Sequence, residues 1–539
     1  MNRVQHFLSG KTAAILTTVL AIIAINAWQM ILSNIDNDLS FIMAAANNLS
    51  GGHGYSIKMA SLQDLSASSY VFLNQWPPGY SWLLVITHRL SGTDWMHTAY
   101  LLNAFALTAL VLVFRKLLYQ LDFPVWVISV SVLYFGFILH DFLFEFADMM
   151  ATLFYLAGFS LLLYYVKSAS RPAGIVLLAA LCFSFCAYLK YLYLAIAAVP
   201  FLSLFWYGYK LRIKEIRQTS IAGFLMVLVL LGGLLVYLHS HSGQALYFNP
   251  TKTGFFPEQL LRLGPMVLTS FINLNFYSMQ VTLHSRLSYQ DMAHFWSVLN
   301  WGCVIWLTYT GFTLIRRKGF VRKDYHAYYA LQAFQVSACL ILFLAALTVR
   351  MNEYYSLRTP SWVYFEETRY YAVFSILVFQ FAIYLWLNGK RFFGKTGLLI
   401  FRLLFCLILT GEVLHGGYFL FKKVVKEKKY GTARDLERID LKALALTRQA
   451  LDENQRVVVC TNSPEIANIC GLAGVATVQD ISLLPESIPT SKPLLLITVI
   501  DIRIPYLFPP YFRKNETKLA FATPDVFYYT SRISKTMGN

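Results

Sequence analysis

Repeated apolar stretches, each long enough to cross a bilayer, constrain this chain more than any other feature. Of its 539 residues, 57% are hydrophobic and 14% are charged, a balance that excludes an ordinary soluble protein. We count about eleven candidate spans, with approximate cores at 13–32, 97–114, 125–139, 149–166, 173–189, 191–208, 220–238, 296–315, 331–349, 370–388 and 397–418. The first lacks a clean cleavage site and is interpreted as an uncleaved signal anchor. The sequence therefore predicts an all-α polytopic membrane protein.

The formal net charge of +17 is explained by topology and lipid headgroups, and we expect membrane lipids rather than nucleic acid as partners. Alternate connections between spans carry the lysines and arginines, as cytoplasmic loops do. The opposite, extracytoplasmic set includes the long loop 34–96 and the segments 140–148 and 239–295. The lysines at 422–429 do not fit this alternation.

From about Tyr430 the pattern changes to that of a small α/β domain. We expect a helix at 436–451, a strand at 456–460, a short helix at 464–472, and strands near 493–500 and 526–533. The expected domains are thus a transmembrane domain at 1–425, which includes loop 34–96, and a soluble domain at 426–539. Cys460 and Cys470 lie in the second domain, where a disulfide is possible if the domain is extracytoplasmic.

Two groups of acidic residues are candidates for chemistry. Asp36 and Asp38 follow the first span, either as functional carboxylates or as helix caps. Glu145 and Asp148, three residues apart, share one helical face before the fourth span. Carboxylates so close raise a pKa or recruit a cation. A divalent metal is therefore conceivable, although no ligand spacing is diagnostic.

Two cations on the predicted extracytoplasmic side are candidates for contact with an anionic ligand. Lys190 lies in the turn Tyr188-Leu-Lys-Tyr-Leu-Tyr193, and Arg369 precedes Tyr370 at the start of the tenth span. Arginine can hold phosphate oxygens bidentately, whereas lysine acts as a point charge. The alternative is that both side chains extend to lipid headgroups.

The order of these motifs resembles the GT-C superfamily of polytopic glycosyltransferases, in particular the dolichyl-phosphate-mannose-protein mannosyltransferase and aminoarabinose transferase group. The resemblance is carried by the acidic first loop, its Gly-His-Gly-Tyr turn, Trp76-Pro-Pro-Gly, the acidic entry to the fourth span, the Lys190 turn and Arg369-Tyr370. Asn37 stands where many relatives have an aspartate.

The resemblance implies an inverting transfer of a monosaccharide from a polyprenyl-phosphate donor to a glycan, lipid or protein acceptor. It places the chain in a bacterial inner membrane, with the site and the C-terminal domain outside. Asp38 is expected to be the general base. The implied catalytic residues are Asp38, Asp36 and Asp148, and the implied substrate-binding residues are Lys190, Arg369, Tyr370, Glu145 and His53.

Other functions fit the composition as well. A lipid-linked glycan translocase would show paired half-repeats or matched broken helices, and none is evident; a non-catalytic membrane scaffold requires no motif at all. An oligosaccharide ligase or polymerase would use a lipid pyrophosphate donor and favours a long outer loop rich in arginine. Only Arg262 and Arg286 lie in the segment 239–295.

Overall fold

The computed structural model describes most of the chain and divides it into two compact units. Described are residues 10–32, 37–137, 146–244, 325–350, 372–388, 390–421, 432–453, 456–484, 487–502, 517–522 and 526–534, with isolated positions at 255–309 and 425. The first unit, Met1–Ile31 with Asn103–Lys423, is called the membrane unit. The second, Leu32–Leu102 with Val424–Asn539, is called the α/β unit.

The membrane unit is built from apolar helices, as the sequence predicts. Among the described residues, six helical segments are long and apolar enough to cross a membrane, and four shorter apolar helices accompany them. The chain is a multi-pass membrane protein. The helices are α1 (Lys11–Leu32), α4 (Trp95–Gln120), α5 (Val125–Phe137), α6 (Phe146–Lys167), α7 (Ala173–Leu189), α8 (Val199–Lys210), α9 (Lys214–Ser242), α10 (Tyr325–Arg350), α11 (Ala372–Asn388) and α12 (Lys390–Phe421). The expected span at 296–315 falls mostly outside the described residues.

Small residues let the helices of this unit approach closely. A Cβ atom on Gly136 of α5 would lie 2.6 Å from the Cα of Ala21 in α1. A Cβ on Gly158 of α6 would lie 2.7 Å from the ring of Phe183 in α7. Because lipid is as apolar as the helix surfaces, the hydrophobic effect does not drive these helices together. Close van der Waals contacts of this kind stabilise their association instead.

Polar side chains link helices inside the membrane unit. Gln380 of α11 accepts a hydrogen bond from Tyr329 of α10, and Gln335 of α10 accepts one from Ser203 of α8. Since an unsatisfied polar group in this environment is costly, such pairs fix which helix faces meet.

The α/β unit combines helices with the strands of one mixed sheet. Its elements are α2 (Asn37–Ser50), β1 (Ser56–Ala60), β2 (Ser68–Phe72), α3 (Gly79–Ser91), α13 (Thr432–Asp452), β3 (Val457–Thr461), α14 (Pro464–Gly471), β4 (Ala476–Val478), β5 (Leu494–Asp501), β6 (Thr517–Ala522) and β7 (Val526–Ile533). Within the described residues the sheet has seven strands in the order β2-β1-β4-β3-β5-β7-β6. The four neighbours β1, β4, β3 and β5 run parallel to one another, while β2, β7 and β6 pair antiparallel with their neighbours.

The sheet combines two segments that the sequence assigned to different domains. Strands β1 and β2 come from the first loop, and Met59 of β1 pairs in parallel register with Thr477 of β4 in the C-terminal segment. Lys58 also donates to the carbonyl oxygen of Gly474 at 2.8 Å. The first loop and the C-terminal segment therefore form one structural unit. This division of the chain differs from the expected one, in which two consecutive domains meet near residue 425.

A carboxylate joins the two segments of the α/β unit. Asp64 accepts hydrogen bonds from the backbone N–H and the hydroxyl of Ser66, at 3.0 and 2.7 Å. It also accepts from the backbone N–H and the hydroxyl of Ser491, at 3.0 and 2.6 Å. These hydrogen bonds hold the pKa of the Asp64 carboxyl well below its usual range, and the bond from the Ser491 hydroxyl contributes most.

Cys460 and Cys470 do not form a disulfide in the structure. Cys460 packs in one hydrophobic core of the sheet and Cys470 in the other. Burial raises the pKa of the Cys460 thiol well above its usual range, so it behaves as a small core hydrophobe.

Candidate functional site

A buried ion pair lies in the membrane unit between the start of one helix and the end of the next. Asp148 is in the first turn of α6, and its side chain is 1% exposed. Lys190 has a side chain that is 12% exposed, and its Nζ lies 3.1 Å from Oδ2 of Asp148. The structure therefore brings together two residues that the sequence proposed separately, one as a carboxylate and one as a phosphate-binding cation.

The backbone places Lys190 by interrupting a helix. Helix α7 ends at Leu189, Lys190 is extended at φ −152° and ψ 126°, and a 3₁₀ turn follows over Tyr191–Ala195. The Lys190 N–H still donates to the carbonyl oxygen of Cys186 at 2.9 Å. Because the main-chain direction changes at this residue, its side chain projects from a break in the helix rather than from a regular helical face.

Hydroxyl groups of neighbouring residues connect the two chain segments that carry the pair. The hydroxyls of Thr152, one turn after Asp148, and Tyr193, in the 3₁₀ turn, lie 3.2 Å apart. The Tyr155 hydroxyl donates to the carbonyl oxygen of Ile196 at 2.8 Å. These bonds attach the turn after Lys190 to α6, and so hold Lys190 and Asp148 in fixed relation. The Lys190 ammonium is thus held beside the Asp148 carboxylate, its observed anionic partner.

The second candidate centre is Asp38, in the α/β unit. Asp38 is half-buried in the first turn of α2, where the helix dipole favours a carboxylate. Ser81 of α3 donates to the carbonyl oxygen of Ile42 at 2.9 Å, and Phe41 stacks on Trp76 with ring centroids 4.9 Å apart. The helix that carries Asp38 is thus fixed from several sides.

The Trp76-Pro-Pro segment is held by Tyr55, which is 1% exposed. Its hydroxyl donates to the carbonyl oxygens of Trp76 and Pro77 at 3.1 and 3.3 Å. Tyr55 itself lies just before β1. The motif therefore supports the packing of α2 and α3 in the described structure.

His53 does not lie beside Asp38. It follows the C-terminal end of α2 in a turn where Gly52 and Gly54 adopt φ values of 82° and 72°, which favour glycine. Its ring stacks on Tyr70 with centroids 4.1 Å apart. A helix of 14 residues is about 21 Å long, so the two predicted residues occupy opposite ends of α2.

Four of the predicted site residues, Asp36, Glu145, Arg369 and Tyr370, lie outside the described residues. Within the described part of the chain, no three histidine, cysteine, aspartate or glutamate side chains are grouped as metal ligands. The Asp148 carboxylate faces an ammonium, and this positive charge opposes the binding of a metal cation at the same oxygen.

Sequence reasoning missed Glu412, a buried carboxylate in α12. Its side chain is 3% exposed, although most residues of the span Gly394–Tyr418 face away from the protein interior. The available signal was a single acidic residue in a long apolar span, which is by default a functional candidate.

A cavity of about 450 Å³ opens beside the sheet, between α13 and strands β5–β7. Its lining includes the cations Lys518 and Arg532 together with Glu453. Neither Asp38 nor His53 contributes to it, and the charges of both signs give no clear preference for an anion.

Comparisons with solved structures give distant likenesses over nearly the whole chain. ArnT from Cupriavidus metallidurans bound to undecaprenyl phosphate is 11% identical, with a TM-score of 0.44 and coverage of 96% of this chain and 97% of that one. The oligosaccharyltransferase of Archaeoglobus fulgidus tethered with an acceptor peptide is 10% identical, with a TM-score of 0.47 and coverage of 91% and 69%.

Both of these proteins are GT-C glycosyltransferases, the group that the sequence motifs resemble. No family model and no curated protein sequence matches the chain. At TM-scores below 0.5 and identities near one tenth, the likeness by itself assigns neither a family nor an activity, so the functional case depends on this chain's own residues.

Proposed function

We propose that this protein is an inverting membrane glycosyltransferase that transfers a monosaccharide from a polyprenyl phosphate to an extracytoplasmic acceptor. The observation that carries the proposal is the Asp148–Lys190 pair, at 3.1 Å and largely buried in a unit of apolar helices. Charged side chains in such a unit are costly and mark a site for a polar or ionic ligand. A lipid phosphate has a charge complementary to the Lys190 ammonium of this pair, and its apolar tail suits the surrounding helices.

Lys190 would stabilise the phosphate as it leaves. In this mechanism the bond between the anomeric carbon and the phosphate oxygen breaks, and the bonding electron pair goes to the phosphate. An ammonium already in place counters the developing charge without reorganisation. Asp148 holds the ammonium in position. Arg369, beside Tyr370, is a second proposed phosphate contact, and Glu145 and His53 remain proposed substrate contacts.

Asp38 would act as the general base. It removes the proton from the acceptor hydroxyl while that oxygen attacks the anomeric carbon from the face opposite the phosphate, which inverts the configuration. Its place in the first turn of a well-packed helix supports the assignment, because a base must be held in a defined direction. Asp36 is proposed to assist from the same segment.

The test is a donor panel with the purified full-length protein in nanodiscs. Polyprenyl-phosphate sugars are supplied singly with a mixture of lipid, glycan and peptide acceptors, and free polyprenyl phosphate is measured. Release that depends on both acceptor and Asp38 is expected. Movement of an intact lipid-linked sugar across vesicle membranes without release would instead indicate a translocase.

Orientation is tested separately by cysteine labelling in intact bacterial cells. We propose that the first loop is extracytoplasmic and the 168–171 connection cytoplasmic, since the latter carries Arg171 beside Lys167. Ser69 and Ser170 are both exposed. An impermeant thiol reagent should label Ser69→Cys and not Ser170→Cys, each measured against the chain without the added cysteine. The reverse pattern contradicts an extracytoplasmic site.

A further inference from the structure

A buried amide connects the C-terminal segment to the helix that carries Asp38. Asn468 of α14 is 1% exposed. Its Nδ2 donates to the hydroxyl oxygen of Ser40 at 3.1 Å, and its Oδ1 accepts from Nε2 of Gln479 at 3.0 Å. Both ends of the amide are thus engaged, and the Gln479 bond fixes which end faces Ser40.

Ser40 lies at the start of α2, only two residues after Asp38. Its side chain is 0% exposed. Residues two apart are separated by about 200° around a helix, so the Ser40 side faces α14 while the Asp38 side faces away from it. Any rotation of α2 about its axis that breaks the Ser40 contact also turns the Asp38 carboxylate.

The bond has a defined energetic role. Leaving the buried Asn468 amide and Ser40 hydroxyl without this hydrogen bond costs more free energy than forming the bond gains. The native orientation of α2 is therefore favoured over neighbouring orientations that break the bond. Apolar packing of α2 against α14 is less directional. The hydrogen bond therefore selects one rotation of the helix among several that bury similar apolar area.

We propose that Asn468 is a positioning residue for the reaction: acting through Ser40, it sets the direction of the Asp38 carboxylate. The inference rests on the proposed function, because it takes Asp38 as the base. It gives the C-terminal segment a direct part in the site, since the tail supplies the group that orients a base in the first loop.

The test is a double-mutant cycle in the full-length protein with Ser40→Ala, Asn468→Ala and the combined variant. Each single change should lower kcat roughly tenfold to a hundredfold, as small misplacements of a reacting group do, with little change in KM. The combined variant should lose no more than either single one, because both remove the same bond.

Hydrogen exchange gives a second measurement that needs no activity. Amides in the first turns of α2 should exchange roughly fivefold faster in both single variants, the equivalent of one neutral hydrogen bond. The matched control is Asn462→Ala. Asn462 bonds through its amide to both backbone groups of Asp501, at 2.7 and 2.8 Å, and should change neither kcat nor exchange in α2.

The outcomes separate this inference from the proposed function. If the wild-type chain releases no polyprenyl phosphate from any donor, the proposed function fails, and exchange in α2 still decides whether Asn468 holds that helix. Unchanged exchange in Ser40→Ala and Asn468→Ala overturns the inference. So does faster exchange with unchanged kcat in an active enzyme, or a combined variant whose losses add.

Discussion

The two candidate acidic centres differ in burial and in partner. Asp148 in the membrane unit is 1% exposed and lies against an ammonium at 3.1 Å, whereas Asp38 in the α/β unit is half-buried at a helix start. A carboxylate buried against a cation is suited to holding that cation in place. If Asp148 took up a proton, the buried Lys190 ammonium would lose its counter-charge. A carboxylate that is only half-buried can be reached by an acceptor hydroxyl, as a general base must be. The contrast supports the proposed roles, in which Asp148 positions Lys190 and Asp38 acts as the base.

The largest effect on turnover is expected for Asp38→Asn. The amide cannot accept the acceptor proton, and general-base catalysis contributes roughly a hundredfold to ten-thousandfold, so kcat should fall by that factor while the unfolding temperature changes little. The measurement is release of polyprenyl phosphate together with thermal unfolding in nanodiscs. Turnover equal to the wild type in Asp38→Asn would remove Asp38 as the base.

Asp148→Asn, in contrast to Asp38→Asn, should have a large effect on the stability of the protein. It leaves the Lys190 ammonium buried without its counter-charge, and breaking a buried pair from one side costs roughly 3–5 kcal/mol. The combined variant Asp148→Asn with Lys190→Met removes both charges and should recover much of that loss. Stability is measured as the free energy of unfolding by denaturant. Equal stability of Asp148→Asn and the wild type would mean that the pair is solvated in the protein.

The donor phosphate should depend on the cations rather than on Asp38. Lys190→Ala and Arg369→Ala should each weaken donor binding about tenfold to a hundredfold, since a charge-assisted contact contributes roughly 1.5–3 kcal/mol. The Kd of the acceptor should not change in either variant. Matched losses for donor and acceptor, or none for either, would contradict a phosphate contact for these residues.

The sequence predicted the apolar, helical character of the membrane unit because hydrophobic length is a local property. Among the described residues, six segments rather than about eleven are long enough to cross a membrane. The Lys190 turn was also found from sequence, since a basic residue between two apolar spans stands out against its neighbours. The pairing of Asp148 with Lys190 was not found, because the two residues are separated by the whole of α6 and α7 and nothing local joins them. Strands β1 and β2 were missed for the same reason: each is five residues long and is completed by pairing with a distant tail segment.

The smallest expected effect concerns Asp64, which joins the first loop to the tail of the α/β unit. Because its carboxyl pKa is depressed in the folded protein, its stabilisation is full above the unfolded pKa of about 3.9 and is lost as the pH falls toward the folded value. Between pH 5 and pH 3, exchange of the β1 amides should therefore rise more in the wild type than in Asp64→Asn, compared at equal pH.

Asp480 provides the matched control for this last prediction. It accepts from the backbone N–H and the hydroxyl of Ser482, at 2.9 and 2.6 Å, as Asp64 does from Ser66. Asp64 differs in also receiving two bonds from Ser491, a residue more than 400 positions away. If the remote bonds are responsible, Asp480→Asn should leave the acid response of β1 unchanged. An equal response in the two variants would assign the effect to the local turns rather than to the bonds between Asp64 and Ser491.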